Sequence, residues 1–213
     1  MQHKMIPLFS VPLIKTNIGA IDQIAKAWIR DLDYPHQSTG TDHSDDHLPE
    51  ANRGMHILDR PQLSSLKHKI KEAVDYFVKD VLGIKEQFKI TTSWINRNGK
   101  DEHIHKHSHP NSIFSGVYYV DVNPQSSPII FEKPYLYTNI AHQSVQLTYD
   151  EHNKNQYNTD YYGIHPAEGE LLMFPSWLEH TVLAQESEVH RISLAFNTYP
   201  QGDIGSGTKQ LKL

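Results

Sequence analysis

From Ile21 onward the apolar positions Ile21, Ile24, Ala25, Trp28, Ile29 and Leu32 recur at helical spacing, which predicts an amphipathic helix. Tyr34-Pro35 ends it, because a residue before proline is pushed out of the helical region. A second helix is marked by the apolar face Leu63, Leu66, Ile70, Val74, Phe77 and Val81, with Asp59 as its expected N-cap, Pro61 in its first turn and Gly83 just past its end. After Gly83 the period changes from helical to alternating. Strands are expected at Phe88–Asn96, His103–His109, Ser115–Val122, Ile129–Phe131, Ser144–Tyr149, Glu170–Phe174, His180–Ala184 and Ile192–Thr198, separated by Gly, Pro and Asn signals. Ahead of the helices, Ile6–Ile14 is apolar but carries Pro7 and Pro12, which cannot donate to a sheet, so it reads as an edge strand or extended arm. Residues 36–56 have neither period and read as loop, with His43, Asp45, Asp46 and His47 solvated rather than ligating. Two helices followed by a run of strands is the layout of a β-sandwich or small barrel with helices packed outside. The expected organisation is one domain over 1–213: arm and supporting helices over 1–87, a β core over 88–200 and a Gly-containing mobile tail over 201–213.

Composition narrows the chemistry. A chain of 213 residues suits one domain with a sizeable core, and 38% hydrophobic with 21% charged residues is the balance of a folded globular protein. The net charge is -5, and the only short basic cluster is Lys67, His68, Lys69 and Lys71, which makes nucleic acid a poor partner. No apolar run approaches a membrane span and no signal peptide opens the chain, so no membrane association and a cytoplasmic location are expected. There is no cysteine, which removes disulfides, thiolate metal sites and Cys nucleophiles. Any metal must be held by His, carboxylate or amide groups, and 15 histidines are available.

Four histidines are placed rather than scattered. His103, His105, His107 and His109 occupy every second position, so in a strand all would point to one face with neighbours about 6.5–7 Å apart. One adjacent pair can converge on an ion at about 2.1 Å per bond, whereas the outermost two cannot. Either His105 with His107 or His107 with His109 meets that condition. Pro110-Asn111-Ser112 then turns the chain into Ser115-Gly-Val-Tyr-Tyr-Val120, a strand able to support a rigid site. Gly169 to His180 reads as a strand, a Pro-Ser turn and a single His that offers a third ligand from across a sheet. Arg191 and Ser193 share one face of the last strand, and a guanidinium with a hydroxyl inside a barrel makes a carboxylate receptor.

Taken together, these segments resemble the 2-oxoglutarate- and Fe(II)-dependent oxygenases, in particular the prolyl-hydroxylase-like 2OG-Fe(II) oxygenase group of bacteria and phages. The resemblance rests on Pro7 to Leu13, Ser93-Trp-Ile-Asn96, His107-Ser-His-Pro-Asn-Ser112, Ser115-Gly-Val-Tyr-Tyr119, Phe131-Glu-Lys-Pro134, Gly169 to His180 and Arg191 to Asn197. It implies a mainly β fold with flanking N-terminal helices, a double-stranded β-helix of the jelly-roll, cupin-like kind. It also implies Fe(II) held by a His-x-Asp/Glu pair and a distal His, with 2-oxoglutarate bound through an Arg. Carried over residue by residue, the metal ligands are His107, His109 and His180, and the cosubstrate residues are Arg191, Ser193 and Tyr119. The acidic position falls on His109, so the site departs from the family pattern and has no protein carboxylate. A two-His site completed by water and a three-His site both stay open, as do the natural metal and a strand-packing role for Tyr119. His105, Asn96, Trp94 and Trp177 are pocket candidates, the two tryptophans as core or pocket wall. Residues 135–162, with six tyrosines, are expected to form a partly mobile flap over the site or a packed aromatic hairpin.

The implied activity is an oxidoreductase, a dioxygenase that uses O2 and 2-oxoglutarate to hydroxylate a small-molecule or peptidyl substrate. Two other readings compete: a cupin-like three-His metalloenzyme without 2-oxoglutarate, and a non-catalytic β-sandwich binding module. Both enzyme readings predict a stoichiometric transition metal in gently purified protein, whereas the binding module predicts none; elemental analysis separates them.

Overall fold

The computed structural model describes residues 3–7, 9–32, 55–134, 148 and 150–213. The first helix, α1 (Gln23–Arg30), is capped by Asp22, whose carboxylate accepts from the Ala25 N–H at 2.8 Å, and it buries Ala25, Lys26 and Ile29. Lys26 is tied to the sheet by ion pairs with Glu168 at 2.8 Å and Asp121 at 3.2 Å. The second helical region starts differently from expectation. Two tight 3-10 turns, Ile57–Asp59 and Pro61–Leu63, precede α2 (Ser64–Asp75), so Asp59 lies inside the first of them and pairs with Lys67 instead of capping. A π-helical turn, Tyr76–Val81, extends α2, and Gly83 at φ +67° provides the left-handed exit. The loop motif His43 to His47 lies outside the described residues. Among the described residues no helix is long and apolar enough to cross a membrane.

The strands are β1 (Ile14–Asn17), β2 (Gln87–Asn98), β3 (Ile104–His107), β4 (Phe114–Asp121), β5 (Ile129–Glu132), β6 (Tyr161–Ile164), β7 (Glu170–Pro175), β8 (His180–Val182) and β9 (Arg191–Gln201). Two antiparallel sheets result, with orders β1-β7-β4-β9-β2 and β3-β8-β5-β6. This is the expected double-stranded β-helix with helices outside. The arm enters the sheet only after Pro12, as β1, while Met5, Ile6 and Phe9 stay exposed. The expected strand Ser144–Tyr149 falls, but for Thr148, outside the described residues, and β6 lies where a flap was expected. The tail from Gln201, expected to be mobile, carries a two-residue ladder between β10 (Asp203–Ile204) and β11 (Leu211–Lys212).

The two-residue period of the large sheet divides the core in two. Ile192, Leu194 and Phe196 of β9, Tyr118 and Val120 of β4, and Leu171 and Met173 of β7 face α2 and its neighbours. The alternate residues Val117, Tyr119, Leu172 and Phe174 face inward, against Ile129, Phe131, Ile164 and Val182 of the small sheet. Strands buried on both faces read as continuous apolar runs, which is why β4 and β7 lack a polar side. Each fully buried large apolar side chain contributes roughly 1.5–3 kcal/mol.

Gly116 marks the tightest point of this arrangement: a Cβ there would lie 2.3 Å from the Phe196 ring and 2.9 Å from the Leu172 carbonyl oxygen. Because the carbonyl belongs to a paired strand, it cannot give way. Gly116→Ala is expected to lower stability by about 1–3 kcal/mol through overpacking, read as a reduced midpoint in urea unfolding.

Candidate active site

β3 and β8 pair with His107 opposite His180, so a two-residue register sets the first contact of the site. β3 is irregular between Ile104 and His107 and ends there, since the His109 N–H donates to the Ser176 carbonyl at 2.9 Å. The chain then turns through Pro110 and Asn111, the latter at φ +56°. The four histidines therefore do not share one face. His103 and His105 pack ring against ring at 4.5 Å, and His105 is exposed. His107, His109 and His180 converge, each offering a ligand nitrogen within 4.8 Å of the others, and the set contains no carboxylate. Of the two pairings left open by the spacing, His107 with His109 is the one brought together.

Backbone carbonyls decide which nitrogens face the centre. His107 Nδ1 lies 2.7 Å from the His105 carbonyl and His180 Nδ1 lies 2.9 Å from the Leu178 carbonyl. A carbonyl oxygen only accepts, so both Nδ1 atoms carry the proton and both Nε2 atoms carry the lone pair, the arrangement metal-bound imidazoles use. His109 Nε2 stands 3.3 Å from His180 Nε2. Two ligands at about 2.1 Å from one ion, at angles between octahedral and tetrahedral, are separated by about 3.0–3.4 Å. Burial, reinforced by the nearby His107, pushes the His180 pKa down to about 4, so its imidazole is neutral and ready to ligate at ordinary pH. The donor set fits a borderline divalent ion.

The inner face of the large sheet carries the rest of the site in rows set by register. Asn96, Ser193 and Tyr119 are opposed across β2, β9 and β4, and Asn98 is opposed to Arg191 in the next row. Arg191 is 1% exposed. Its Nη1 donates to Ser193 Oγ at 3.1 Å, but its Nε and Nη2 have no hydrogen-bond partner. Burial pushes its pKa down, and the adjacent Tyr119 phenol, whose ring centre lies 5.2 Å from the guanidinium carbon, opposes that shift. The Tyr119 hydroxyl and Asn98 Oδ1 are buried without a partner as well. A buried guanidinium with unpaired donors is costly unless an anion occupies its fork, and a carboxylate matches it.

The remaining candidates separate. Trp94 lies on the same inner face, with its ring 5.6 Å from that of His109, and walls the site. Asn96 holds the position opposite Ser193. Trp177, in the turn before His180, is 53% exposed and so is not core. Of the Tyr-rich segment, Tyr161 and Tyr162 are exposed on β6, and Tyr135, Tyr137 and Tyr149 lie outside the described residues. Sequence reasoning missed Asn98, although it continues the two-residue series of Trp94 and Asn96.

A family model described as "Putative 2OG-Fe(II) oxygenase" matches residues 92–197, the stretch that carries all three imidazoles, Tyr119, Arg191 and Ser193. Through this model the chain matches the 2OG-Fe(II) oxygenase superfamily. Among solved structures, HygX from Streptomyces hygroscopicus with nickel, 2-oxoglutarate and hygromycin B bound is similar with a TM-score of 0.53 and 11% identity, over 89% of this chain and 83% of HygX. The non-heme monooxygenase ThoJ in its nickel complex gives 0.54 and 8% identity, over 89% of this chain and 74% of ThoJ. A superfamily oxidoreductase from Burkholderia pseudomallei is 17% identical with a TM-score of 0.43, over 71% of this chain, which spans 57% of its length. These likenesses concern the fold. No curated protein matches the chain in sequence.

Arg191 provides a test separate from catalysis. Arg191→Met removes an unpaired buried charge, so the ligand-free protein is expected to gain about 1–4 kcal/mol of stability, measured as a raised unfolding midpoint. An unchanged or lowered midpoint would contradict the unpaired state.

Proposed function

We propose that the protein is an Fe(II)- and 2-oxoglutarate-dependent dioxygenase, a hydroxylase acting on a small-molecule or peptidyl substrate in the cytoplasm. The observation that carries this reading is the buried Arg191 fork, with two donors unpaired, inside the same barrel as three convergent imidazoles. Fe(II) would be held by His107, His109 and His180, and the distal carboxylate of 2-oxoglutarate by Arg191. When bound, iron and cosubstrate would supply the oxidising chemistry, in which substrate, O2 and 2-oxoglutarate are converted to hydroxylated substrate, succinate and CO2.

The chain's own residues bind, orient and exclude water. Arg191 can donate Nε–H and Nη2–H to one carboxylate, while the bond from its Nη1 to Ser193 fixes the plane of the fork. The Tyr119 hydroxyl is an additional buried donor, and burial pushes its pKa up, which keeps it protonated. Leu172, Phe174 and Phe131 make the walls between the imidazoles and the guanidinium apolar, and Phe174 and Phe131 pack directly against His180. Trp94 beside His109 borders the space left for substrate. The nickel and 2-oxoglutarate in HygX support the fold as a host for this pair.

A second reading is favoured by one observation, the absence of a carboxylate among the ligands. It is a cupin-like metalloenzyme whose substrate chelates a three-His ion directly, without 2-oxoglutarate. Anaerobic Fe(II) titration with 2-oxoglutarate separates the two. A visible charge-transfer band is expected for the wild type and is expected to be lost in Arg191→Gln; iron-loaded wild type without a band would contradict the dioxygenase reading.

A further inference from the structure

His109 lies beyond the end of β3, so no strand ladder sets its position. Its backbone is tied to the rest of the site by Ser176, in the turn that follows β7 and leads to His180. The Ser176 carbonyl accepts from the His109 N–H at 2.9 Å, and the Ser176 N–H donates to the Ile113 carbonyl at 3.0 Å, so its backbone grips both ends of the 109–113 turn. Its hydroxyl, fully buried, lies 2.7 Å from Ser112 Oγ and 2.8 Å from Ser115 Oγ.

The three hydroxyls belong to one hydrogen-bonded network. Ser115 gives its hydroxyl proton to Asn197 Oδ1 at 2.7 Å, a carbonyl that can only accept. Ser112 gives its proton to the Phe114 and Thr198 carbonyls at 3.1 and 3.2 Å, under the same restriction. Ser176 donates its proton to Ser112 Oγ, and between Ser176 and Ser115 either hydroxyl can be the donor. Beyond Ser115 the chain continues through Asn197 Nδ2, which donates to Thr92 Oγ1 at 3.0 Å, and thus reaches the edge strand β2. Ser176 is therefore the centre of a polar network that joins three segments, buried where apolar packing would serve stability equally well. What such a network adds is fixed geometry.

We propose that Ser176 is a positioning residue that holds His109 at ligand distance from His180, so that the hydroxyl hub decides whether the centre presents three imidazoles or two. This rests on the three-imidazole metal reading above. The test is Cu(II) binding to the metal-free full chain, with ligand nitrogens counted from the hyperfine structure of the EPR spectrum and affinity taken from titration. Wild type is expected to show three nitrogens. Ser176→Ala is expected to shift the spectrum towards two and to weaken binding by about tenfold, the scale of lost outer-shell support. Ser112→Ala, which frees the His109 turn from the same hydroxyl, should do likewise, and it keeps the test informative if Ser176→Ala does not fold. Ser115→Ala removes an equivalent buried hydrogen bond on the β4 side and is expected to keep three nitrogens. A general loss of stability would affect all three variants alike.

Three nitrogens and wild-type affinity in the folded Ser176 or Ser112 variant would overturn the proposal alone, as would equal losses in all three variants. Fewer than three nitrogens in the wild type would overturn the metal reading and this proposal with it.

Discussion

The register of β9 against its two neighbours is the constraint on which the molecule depends. In this strand Ile192, Leu194 and Phe196 complete the core beneath the helices, while Arg191, Ser193 and Asn197 turn into the barrel. Because side chains alternate, a slip by one residue would place the guanidinium in the helix-facing core and an isoleucine in the pocket. Stability and site are thus specified by the same pairing. The small sheet repeats the logic, since opposing His107 to His180 and His180 to Phe131 sets the imidazole cluster against an aromatic wall.

That arrangement keeps two unfavourable groups in place. Arg191 is a charge in an apolar barrel with donors unpaired, and His180 is an imidazole buried enough to stay neutral far below its ordinary range. Neither is what packing alone would select, and residues of this kind concentrate where a ligand supplies the missing partner. The ligands expected here are complementary in charge as well. Three neutral imidazoles leave a divalent ion uncompensated, and a dianionic cosubstrate anchored at both ends would offset most of the positive charge of the ion and the guanidinium together. A carboxylate at the position of His109 would divide that charge differently, so a metal held here would rely more heavily on an anionic ligand.

Much of this was legible because it follows a short period. The spacing of His107 and His109, the single His180 after a Pro-Ser turn, and the Arg191-x-Ser193 pair each express the alternation of a strand, and the fold class follows from the change of period after Gly83. What was not legible depends on contacts distant in sequence. His109 leaves the strand because its N–H finds the Ser176 carbonyl beyond the end of β3, and the irregularity between Ile104 and His107 breaks the alternation before it. Asp59 fails to cap α2 because two 3-10 turns come first. Scattered serines carry no pattern, so the hub of Ser112, Ser115 and Ser176 is visible only once three segments meet. Asn98 is the exception, a readable continuation of the Trp94 and Asn96 series that was passed over.

The central claim is that one site holds a metal at its three imidazoles and a dicarboxylate between that metal and Arg191. Calorimetric titration of 2-oxoglutarate and of pyruvate, which shares the keto acid but lacks the distal carboxylate, into metal-free and Zn(II)-loaded protein tests it most directly. The account predicts that 2-oxoglutarate binds the loaded protein and that pyruvate binds it roughly 10–100-fold more weakly, as the loss of a charged, buried hydrogen-bond pair requires. It also predicts that metal removal weakens 2-oxoglutarate binding. Equal affinity for the two acids, or 2-oxoglutarate binding indifferent to metal, would contradict it.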